Sequence, residues 1–265
     1  MFSNFKNYNI FISGAYGYIG SEISRKLCEA GAHVFINGRD KKKLNKLYND
    51  LKQKDYKVTK ALFDINDTKK VKIFFKKIKT LHVVINNASS GLQKKFNDFK
   101  DEDYLNAYKI AVLSTANIMK YSEKSLIAGA KEIGTTSVIN ISSMYGLVSP
   151  DFSIYRGTKM FNSPYYGSSK AALIQYTKYA AVYYAEKKIR VNSVSLGPFP
   201  NVKISKISKL FLNRLKAKVP LNRIGSPKDI ISSIIFLSSK ESSFVTGSNI
   251  TVDGGWTARW LKIKF

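Results

Sequence analysis

The sequence predicts an α/β protein in which one doubly wound, seven-stranded parallel sheet carries helices on both faces. Apolar runs of strand length alternate with segments of helical periodicity along the whole chain. Such alternation is typical of parallel sheets whose strands are joined by helical crossovers. The chain has 265 residues, of which 44% are hydrophobic. It can therefore bury one sizeable core, and we expect a single domain spanning residues 1–265.

Each predicted element has a local signal. The strands are short apolar runs, and the helices show apolar residues three or four positions apart. Strands are expected at 9–13, 33–37, 57–62, 81–86, 136–141, 190–196 and 248–252. Helices are expected at about 18–30, 40–53, 67–79, 101–128, 164–187, 203–217 and 227–239. Residues 144–164 form the longest stretch without clear periodicity.

The chain is strongly basic, with 44 Lys and Arg residues against 18 Asp and Glu residues, for a net charge of +26. The lysines are spread over predicted helices and loops. Lys, Asn, Ile, Tyr and Phe are all abundant, as in proteins encoded by AT-rich genomes. Attraction of an anionic substrate is an alternative explanation of the charge, and a nucleic-acid surface is a weaker one. We expect no nucleic-acid partner, because no single arm gathers the lysines.

The sequence contains no run of about 18 apolar residues and no signal-peptide pattern. We therefore expect a cytoplasmic protein that does not insert into a membrane. Cys28 is the only cysteine, which excludes an internal disulfide, and the chain has only two histidines. We predict that Cys28 is an inert packed thiol and that the protein holds no metal.

A glycine-rich turn follows the first predicted strand and opens the first predicted helix. It runs from Ser13 to Gly20, with the sequence SGAYGYIG. Glycine permits a tight turn and a close backbone approach, and the start of a helix can hold a pyrophosphate. The turn therefore predicts a dinucleotide site at this end of the sheet.

The end of the second strand carries the signal for the choice of dinucleotide. An acidic residue there would bind a ribose 2′-hydroxyl, whereas an arginine suits a 2′-phosphate. Position 37 is Asn, and Arg39 follows it. This pattern favours NADP(H) over NAD(H), although NAD(H) stays open. Alternatively, Arg39 is a solvated loop residue and Asp40 caps the next helix.

Tyr166 and Lys170 lie four residues apart at the start of a long helical run, so they share one helix face. An ammonium group there can lower the pKa of the phenol, which makes a proton donor and acceptor for chemistry at a carbonyl or an alcohol. The same spacing occurs in Tyr155 and Lys159. An ordinary exposed helix pair is the alternative interpretation of either pair.

These motifs together resemble the short-chain dehydrogenase/reductase family of single-domain Rossmann type, over nearly the whole chain. The apolar segment IRVN at 189–192 stands at the family's usual distance after Lys170, which selects Tyr166 rather than Tyr155 as the catalytic tyrosine. The other matching segments are the turn at 13–20, Asp64-Ile65, NNAS at 86–89, ISS at 141–143, Gly197-Pro198, Thr246-Gly247 and VDGG at 252–255.

The resemblance implies a role for each matching residue. Ser143 would hold the substrate carbonyl, Tyr166 would transfer the proton, and Lys170 would bind ribose and lower the pKa of the tyrosine. Asp64 would contact the adenine, and the backbone up to Phe199 would meet the nicotinamide amide. The full set of predicted cofactor-binding residues is Ser13, Gly14, Gly17, Ile19, Gly20, Arg39, Asp64, Ile65, Asn87, Ala88, Tyr166, Lys170 and Phe199.

The sequence departs from the family pattern in four places: the G-x-x-G-x-x-G spacing of the glycines, Leu196 where the family often has Pro, and two that bear most directly on the reaction and the substrate. Ala111 stands where the family has an Asn in a water-mediated proton relay. The 22 residues between Ser143 and Tyr166 are about twice the usual number, and a segment of that length is more often functional than idle. Within that segment we predict a substrate-binding role for Tyr155, Arg156 and Lys159, with Ser143.

The sequence of the long segment bears a weaker resemblance to oxidoreductases encoded with flagellin-modification and nonulosonic-acid sugar genes. We therefore expect an NADP(H)-dependent oxidoreductase that acts on a carbonyl or alcohol substrate, with a sugar or nucleotide-sugar of surface-glycan biosynthesis as one candidate. The alternative is a catalytically silent NAD(P)-binding regulatory or scaffold protein. Aromatic residues on the helix at 164–187 predict a homo-oligomer, either a tetramer or a dimer.

Overall fold

The computed structural model describes residues 4–89, 94–201 and 208–259. Its seven strands form one parallel sheet in the order β3-β2-β1-β4-β5-β6-β7. The strands are β1 Asn9–Ile12, β2 His33–Gly38, β3 Val58–Leu62, β4 Val83–Asn86, β5 Thr136–Ser143, β6 Ile189–Leu196 and β7 Asn249–Val252. The predicted α/β class and the doubly wound parallel sheet are confirmed.

Eight α-helices surround the sheet in the described part of the chain. They are α1 Tyr18–Glu29, α2 Lys41–Lys52, α3 Thr68–Lys76, α4 Asp101–Tyr108, α5 Ser114–Ile133, α6 Pro164–Tyr184, α7 Lys209–Lys218 and α8 Ile231–Ser238. The single helix predicted at 101–128 is wrong, because a π-helical turn at Lys109–Leu113 separates α4 from α5. Residues 202–207, which open the helix predicted at 203–217, lie outside the described residues.

Alternating side chains of the central strands divide the core into two layers. Ile10 and Ile12 face a layer that also contains apolar residues of α1, α2 and α8. Phe11, between them, faces a layer built from α3, α5 and α6. Because both faces of the sheet are covered, its central strands read as continuous apolar runs.

Cys28 is buried in the first layer, and burial raises the pKa of its thiol to about 12, as an inert thiol requires.

A third, smaller apolar cluster joins the segment 144–164 to α7. Its members are Met144, Ile154, Phe211, Leu215, Val219 and Trp256. Two short 3-10 turns shape the segment, at Met144–Gly146 and Phe152–Tyr155. The Asp151 carboxylate lies 2.7 Å from the Lys218 ammonium at the end of α7, which adds an ion pair to the cluster.

The strand order indicates where the candidate site lies in the fold. The sequence order of the strands reverses between β1 and β4, and in open parallel sheets ligands bind at this switch point, beyond the carboxyl ends of the strands. β1 leads directly into the glycine turn, and β5 ends at Ser143. In the described ranges, no helix combines the length and apolar character needed to cross a membrane.

Candidate active site

The glycine turn packs directly against the end of β4. Gly14 has a φ of +62°, and a Cβ atom on it would lie 2.9 Å from Ala88 Cα. A Cβ atom on Gly20 would lie only 2.3 Å from the Gly14 carbonyl oxygen. The Ser13 hydroxyl accepts hydrogen bonds from the backbone N–H groups of Asn87 (3.0 Å) and Ala88 (3.1 Å). Five of the predicted cofactor-binding residues therefore meet here, and the buried Ser13 hydroxyl holds the two segments together.

The start of α1 can accept an anion. The helix begins after Gly17, and among the described residues no side chain caps it. The first turn, from Tyr18 to Ser21, carries no acidic residue, so its backbone N–H groups and the helix dipole are available to a phosphate. Ile19 lies in this turn and packs partly against the first core layer. The turn and the helix start together fit the pyrophosphate of a dinucleotide.

Arg39 and Asp64, from the ends of β2 and β3, form an exposed ion pair. The Arg39 Nη1 atom lies 3.3 Å from Asp64 Oδ2, and 70% of the Arg39 side chain is exposed. Ile65 is buried beside Asp64. Asn37 does not face this pair, because its buried amide donates hydrogen bonds to the carbonyls of Ala61 and Phe63 on the neighbouring chain segment. Arg39, and not Asn37, is therefore the residue after β2 whose polar group lies at the surface beside Asp64.

Ser143 and Tyr166 meet at the start of α6. The Ser143 hydroxyl accepts a hydrogen bond from the Tyr145 N–H (3.2 Å) and lies near enough to the Tyr166 phenol to influence its pKa. The pKa of the Tyr166 phenol is raised because burial disfavours the phenolate, and the neighbouring Ser143 hydroxyl opposes this shift. We expected the pKa of Tyr166 to be lowered, and the burial of the phenol explains the difference.

Lys170 lies one helical turn beyond Tyr166 and is buried. Its ammonium donates a hydrogen bond to the Ile141 carbonyl (2.8 Å) and lies 5.9 Å from the centre of the Tyr166 ring. Burial lowers the pKa of the ammonium to about 8. The helix pair is therefore not an ordinary exposed pair, because Lys170 is buried and Tyr166 is only partly exposed beside the end of β5.

Two glycines allow the turn after β5 to contact α6. A Cβ atom on Gly146 would lie 2.8 Å from the Lys170 carbonyl carbon, and one on Gly167 would lie 2.7 Å from the Tyr145 carbonyl oxygen. Larger side chains at either position would push the turn away from the helix. The separation between Ser143 and Tyr166 thus depends on both glycines.

The predicted substrate residues are placed differently from one another. The Tyr155 hydroxyl lies 2.9 Å from the Tyr145 hydroxyl, whereas Arg156 and Lys159 are exposed. Sequence reasoning missed Tyr145, and its position two residues after Ser143 was the only available signal. Phe199, predicted to meet the nicotinamide, packs its ring against Gly225.

Ala111 lies buried in the π-helical turn between α4 and α5. Its carbonyl accepts a hydrogen bond from the Thr115 hydroxyl (2.9 Å), so a side-chain hydroxyl already occupies this acceptor. In the ranges that the structure describes, no group of three or more His, Cys, Asp or Glu residues could hold a metal ion.

A family model of short-chain dehydrogenases, described as enoyl-(acyl carrier protein) reductase, matches residues 14–257. The chain belongs to the short-chain dehydrogenase/reductase family. The match spans Gly14 to Gly20 of the glycine turn together with Ser143, Tyr166 and Lys170. The family assignment makes the protein an oxidoreductase that uses a nicotinamide dinucleotide.

Individual short-chain dehydrogenases match nearly the whole chain. The 3-oxoacyl-(acyl-carrier-protein) reductase of Rickettsia bellii is 28% identical over 246 residues, which cover 92% of this chain and 94% of the relative. A short-chain dehydrogenase of Leptospira borgpetersenii, solved with bound NAD+, is 28% identical with a TM-score of 0.81, covering 96% and 94% of the two chains. A gluconate 5-dehydrogenase of Burkholderia cenocepacia, solved with NADP and tartrate, has a TM-score of 0.84 at 23% identity, covering 98% and 99%.

Proposed function

We propose that the protein is an NADP(H)-dependent oxidoreductase that transfers a hydride between the nicotinamide and a carbonyl or alcohol substrate. The observation that carries this proposal is the arrangement of the Tyr166 phenol beside Ser143 and the buried Lys170, at the carboxyl ends of the strands where the glycine turn also lies. Ser143, Tyr166 and Lys170 are the catalytic residues in this proposal. The bound dinucleotide supplies or accepts the hydride.

The residues of the chain supply the acid–base chemistry. In the reducing direction, the Ser143 and Tyr166 hydroxyls bind the substrate carbonyl oxygen and stabilise the negative charge that develops on it. The Tyr166 phenol then donates its proton to that oxygen. The Lys170 ammonium places a positive charge within reach of the phenol and stabilises the phenolate that remains. Burial makes each of these interactions stronger than it would be in water.

The experiment that tests the function is a titration of NADPH fluorescence, followed by a screen of carbonyl compounds that includes aminosugar intermediates. NADPH binding with substrate-dependent oxidation supports the proposal. NADPH binding without turnover of any compound would favour the silent binding protein instead. Only Ala111 argues for that alternative, because it removes the side chain on which the family's proton relay depends.

Arg39 is expected to set the cofactor preference. An arginine can form charge-assisted hydrogen bonds with a 2′-phosphate, which NADPH has and NADH lacks. Arg39→Ala should raise the Kd of NADPH about tenfold and leave that of NADH almost unchanged. The effect lies at the lower end of the range for charged hydrogen bonds, because Arg39 is exposed and already pairs with Asp64.

Fluorescence titration of the two cofactors measures this prediction. Arg25→Ala is the matched control, since Arg25 pairs with Glu22 in the middle of α1 and should not respond to either cofactor. A wild-type protein that binds NADH more tightly than NADPH would refute the assignment of Arg39.

The segment 144–164 is expected to shape the substrate pocket, because its two ends are fixed beside Ser143 and Tyr166. Replacing both Arg156 and Lys159 by Ala should raise KM for the true substrate, especially an anionic one, without changing the Kd of NADPH. Steady-state kinetics on the best substrate from the screen measures the effect. Unchanged KM and turnover would mean that these exposed cations only face water.

The outer face of α6 is expected to form a homo-oligomer contact. Tyr179 and Tyr183 stack on each other and are 67% and 56% exposed, and Val182 between them is 80% exposed. Two further tyrosines of this part of the helix are less exposed: Tyr184 is buried, and the partly buried Tyr176 donates a hydrogen bond to the sulfur of Met119. Contiguous apolar surface of this kind is typical of an interface.

Light scattering at micromolar concentration should therefore show a homo-oligomer, and we expect a tetramer. Val182→Glu should reduce its mass by at least half, because a charge would be buried in the contact. Ile73→Glu, at a 57% exposed position of α3, is the control and should leave the mass unchanged. A monomeric wild-type protein would contradict this prediction.

A further inference from the structure

The Tyr145 and Tyr155 hydroxyls form a pair that the catalytic scheme does not use. Their oxygen atoms are 2.9 Å apart, and both rings are only partly exposed. Each phenol can donate one hydrogen bond and accept others. Since one O–H group is used between them, the pair still offers one O–H donor and several lone pairs to a third group.

The turn after β5 places Tyr145 beside the reacting groups. Its own N–H donates to the Ser143 hydroxyl, and the glycine contacts described above press the turn onto α6. The phenols of Tyr145 and Tyr166 are close enough that a phenolate at one position disfavours a phenolate at the other, which contributes to the raised pKa of Tyr145. Burial is the largest cause of that shift, and burial also raises the pKa of Tyr155. Both phenols therefore stay neutral at physiological pH.

The segment 144–164 and α7 hold Tyr155 in place. Its ring packs 5.5 Å from that of Phe211, and the preceding Ile154 is fully buried. The Asp151–Lys218 ion pair fixes the start of the same turn. The extra length of the segment therefore places the Tyr155 hydroxyl beside that of Tyr145, and the packing on α7 holds it in this position.

We propose that the two phenols form a subsite that binds a hydroxyl substituent of the substrate next to the carbonyl group held by Ser143 and Tyr166. This inference rests on the proposed function and names its substrate class, a hydroxylated carbonyl compound of polyol or sugar type. A neutral donor and acceptor pair matches a neutral hydroxyl group, which both donates and accepts. An unsubstituted acyl chain would leave the second O–H group of the pair without a hydrogen-bond acceptor, which costs binding free energy.

The test compares Tyr145→Phe and Tyr155→Phe with the wild type on matched ketones that differ in hydroxyl groups, dihydroxyacetone against acetone and fructose against 2-hexanone. The wild type should prefer the hydroxylated member of each pair. Tyr145→Phe should lower kcat/KM for the hydroxylated ketones about tenfold, mainly through KM, and leave the plain ketones unchanged. Tyr155→Phe should have a smaller effect of the same kind. Tyr176→Phe, which removes a hydroxyl hydrogen-bonded to the sulfur of Met119, is the matched control.

The outcomes separate this inference from the function on which it rests. Tyr166-dependent NADPH oxidation that prefers plain ketones, or that Tyr145→Phe leaves unchanged, overturns the subsite and leaves the proposed function intact. NADPH binding with no turnover of any carbonyl compound overturns both. Near-ultraviolet circular dichroism of the variants shows that the packing is kept, so that a loss of preference is assigned to the missing hydroxyl.

Discussion

Tyr166→Phe should lower kcat by a factor of about 10² to 10⁴, which is the contribution of a positioned general acid. The variant loses the phenol proton beside Ser143 that would be donated to the substrate, while the aromatic ring remains. The Kd of NADPH should stay within about twofold of the wild-type value, because the phenol proton is not needed for binding. Single-turnover oxidation of NADPH, measured with a fluorescence titration, separates the two quantities.

The second tyrosine with the same spacing is the control for this experiment. Tyr155 stands four residues before Lys159, yet its hydroxyl is bonded to Tyr145 and Lys159 is exposed. Tyr155→Phe should therefore keep kcat near the wild-type value, even where KM changes. If both variants lost turnover equally, the assignment of Tyr166 as the proton donor would be wrong.

Lys170→Met should abolish most activity and stabilise the fold at the same time. Loss of the ammonium removes a charge that supports the phenolate, and we expect kcat/KM to fall about 100-fold. The pKa of the buried ammonium is lowered from 10.5 to about 8, so the folded state pays to keep it charged at pH 7. That penalty is about 3 kcal/mol at most, and loss of the hydrogen bond to the Ile141 carbonyl offsets part of the gain.

The lowered pKa of Lys170 also predicts how the stability of the fold changes with pH. Below about pH 8 the ammonium is charged in both states, and its burial penalty is fully present. Between about pH 8 and 10.5 the unfolded chain binds more protons than the folded one at this site, so the wild type should gain stability as pH rises.

Urea unfolding at pH 7 and pH 9 measures the change. Lys170→Met should lack the gain at this site, and Lys178→Met, at an exposed position of the same helix, should behave like the wild type. If the free energy of unfolding changed equally between pH 7 and pH 9 in Lys170→Met and the wild type, burial of the charged ammonium would not destabilise the fold.

The sheet could be predicted from the sequence because its central strands are buried on both faces. Val83 to Ile85 and Val138 to Ile139, for example, are fully buried, and a continuous apolar run is the direct consequence. The π-helical turn at Lys109–Leu113 was missed, because one extra residue in a turn hardly changes the apolar periodicity of the flanking helices.

The site was predictable where a local motif determines the geometry. The glycine turn needs glycine for reasons that involve only its immediate neighbours, and Tyr166 and Lys170 share a face through helical spacing alone. The roles of Asn37 and Tyr145 depend on contacts with distant segments. The Asn37 amide turns to β3, and the Tyr145 hydroxyl meets a residue of the long segment, which no spacing rule indicates.

The packing of the segment 144–164 on α7 has a consequence for how this branch of the family diverges. Tyr155 and Phe211 share one apolar cluster, although they lie far apart in the chain. A change of side-chain volume at either position alters the packing of the other residue. Substitutions in the two segments should therefore be strongly epistatic. Changes of substrate preference should then be inherited as co-adapted pairs, and a library that diversifies the long segment alone would sample mostly mismatched combinations.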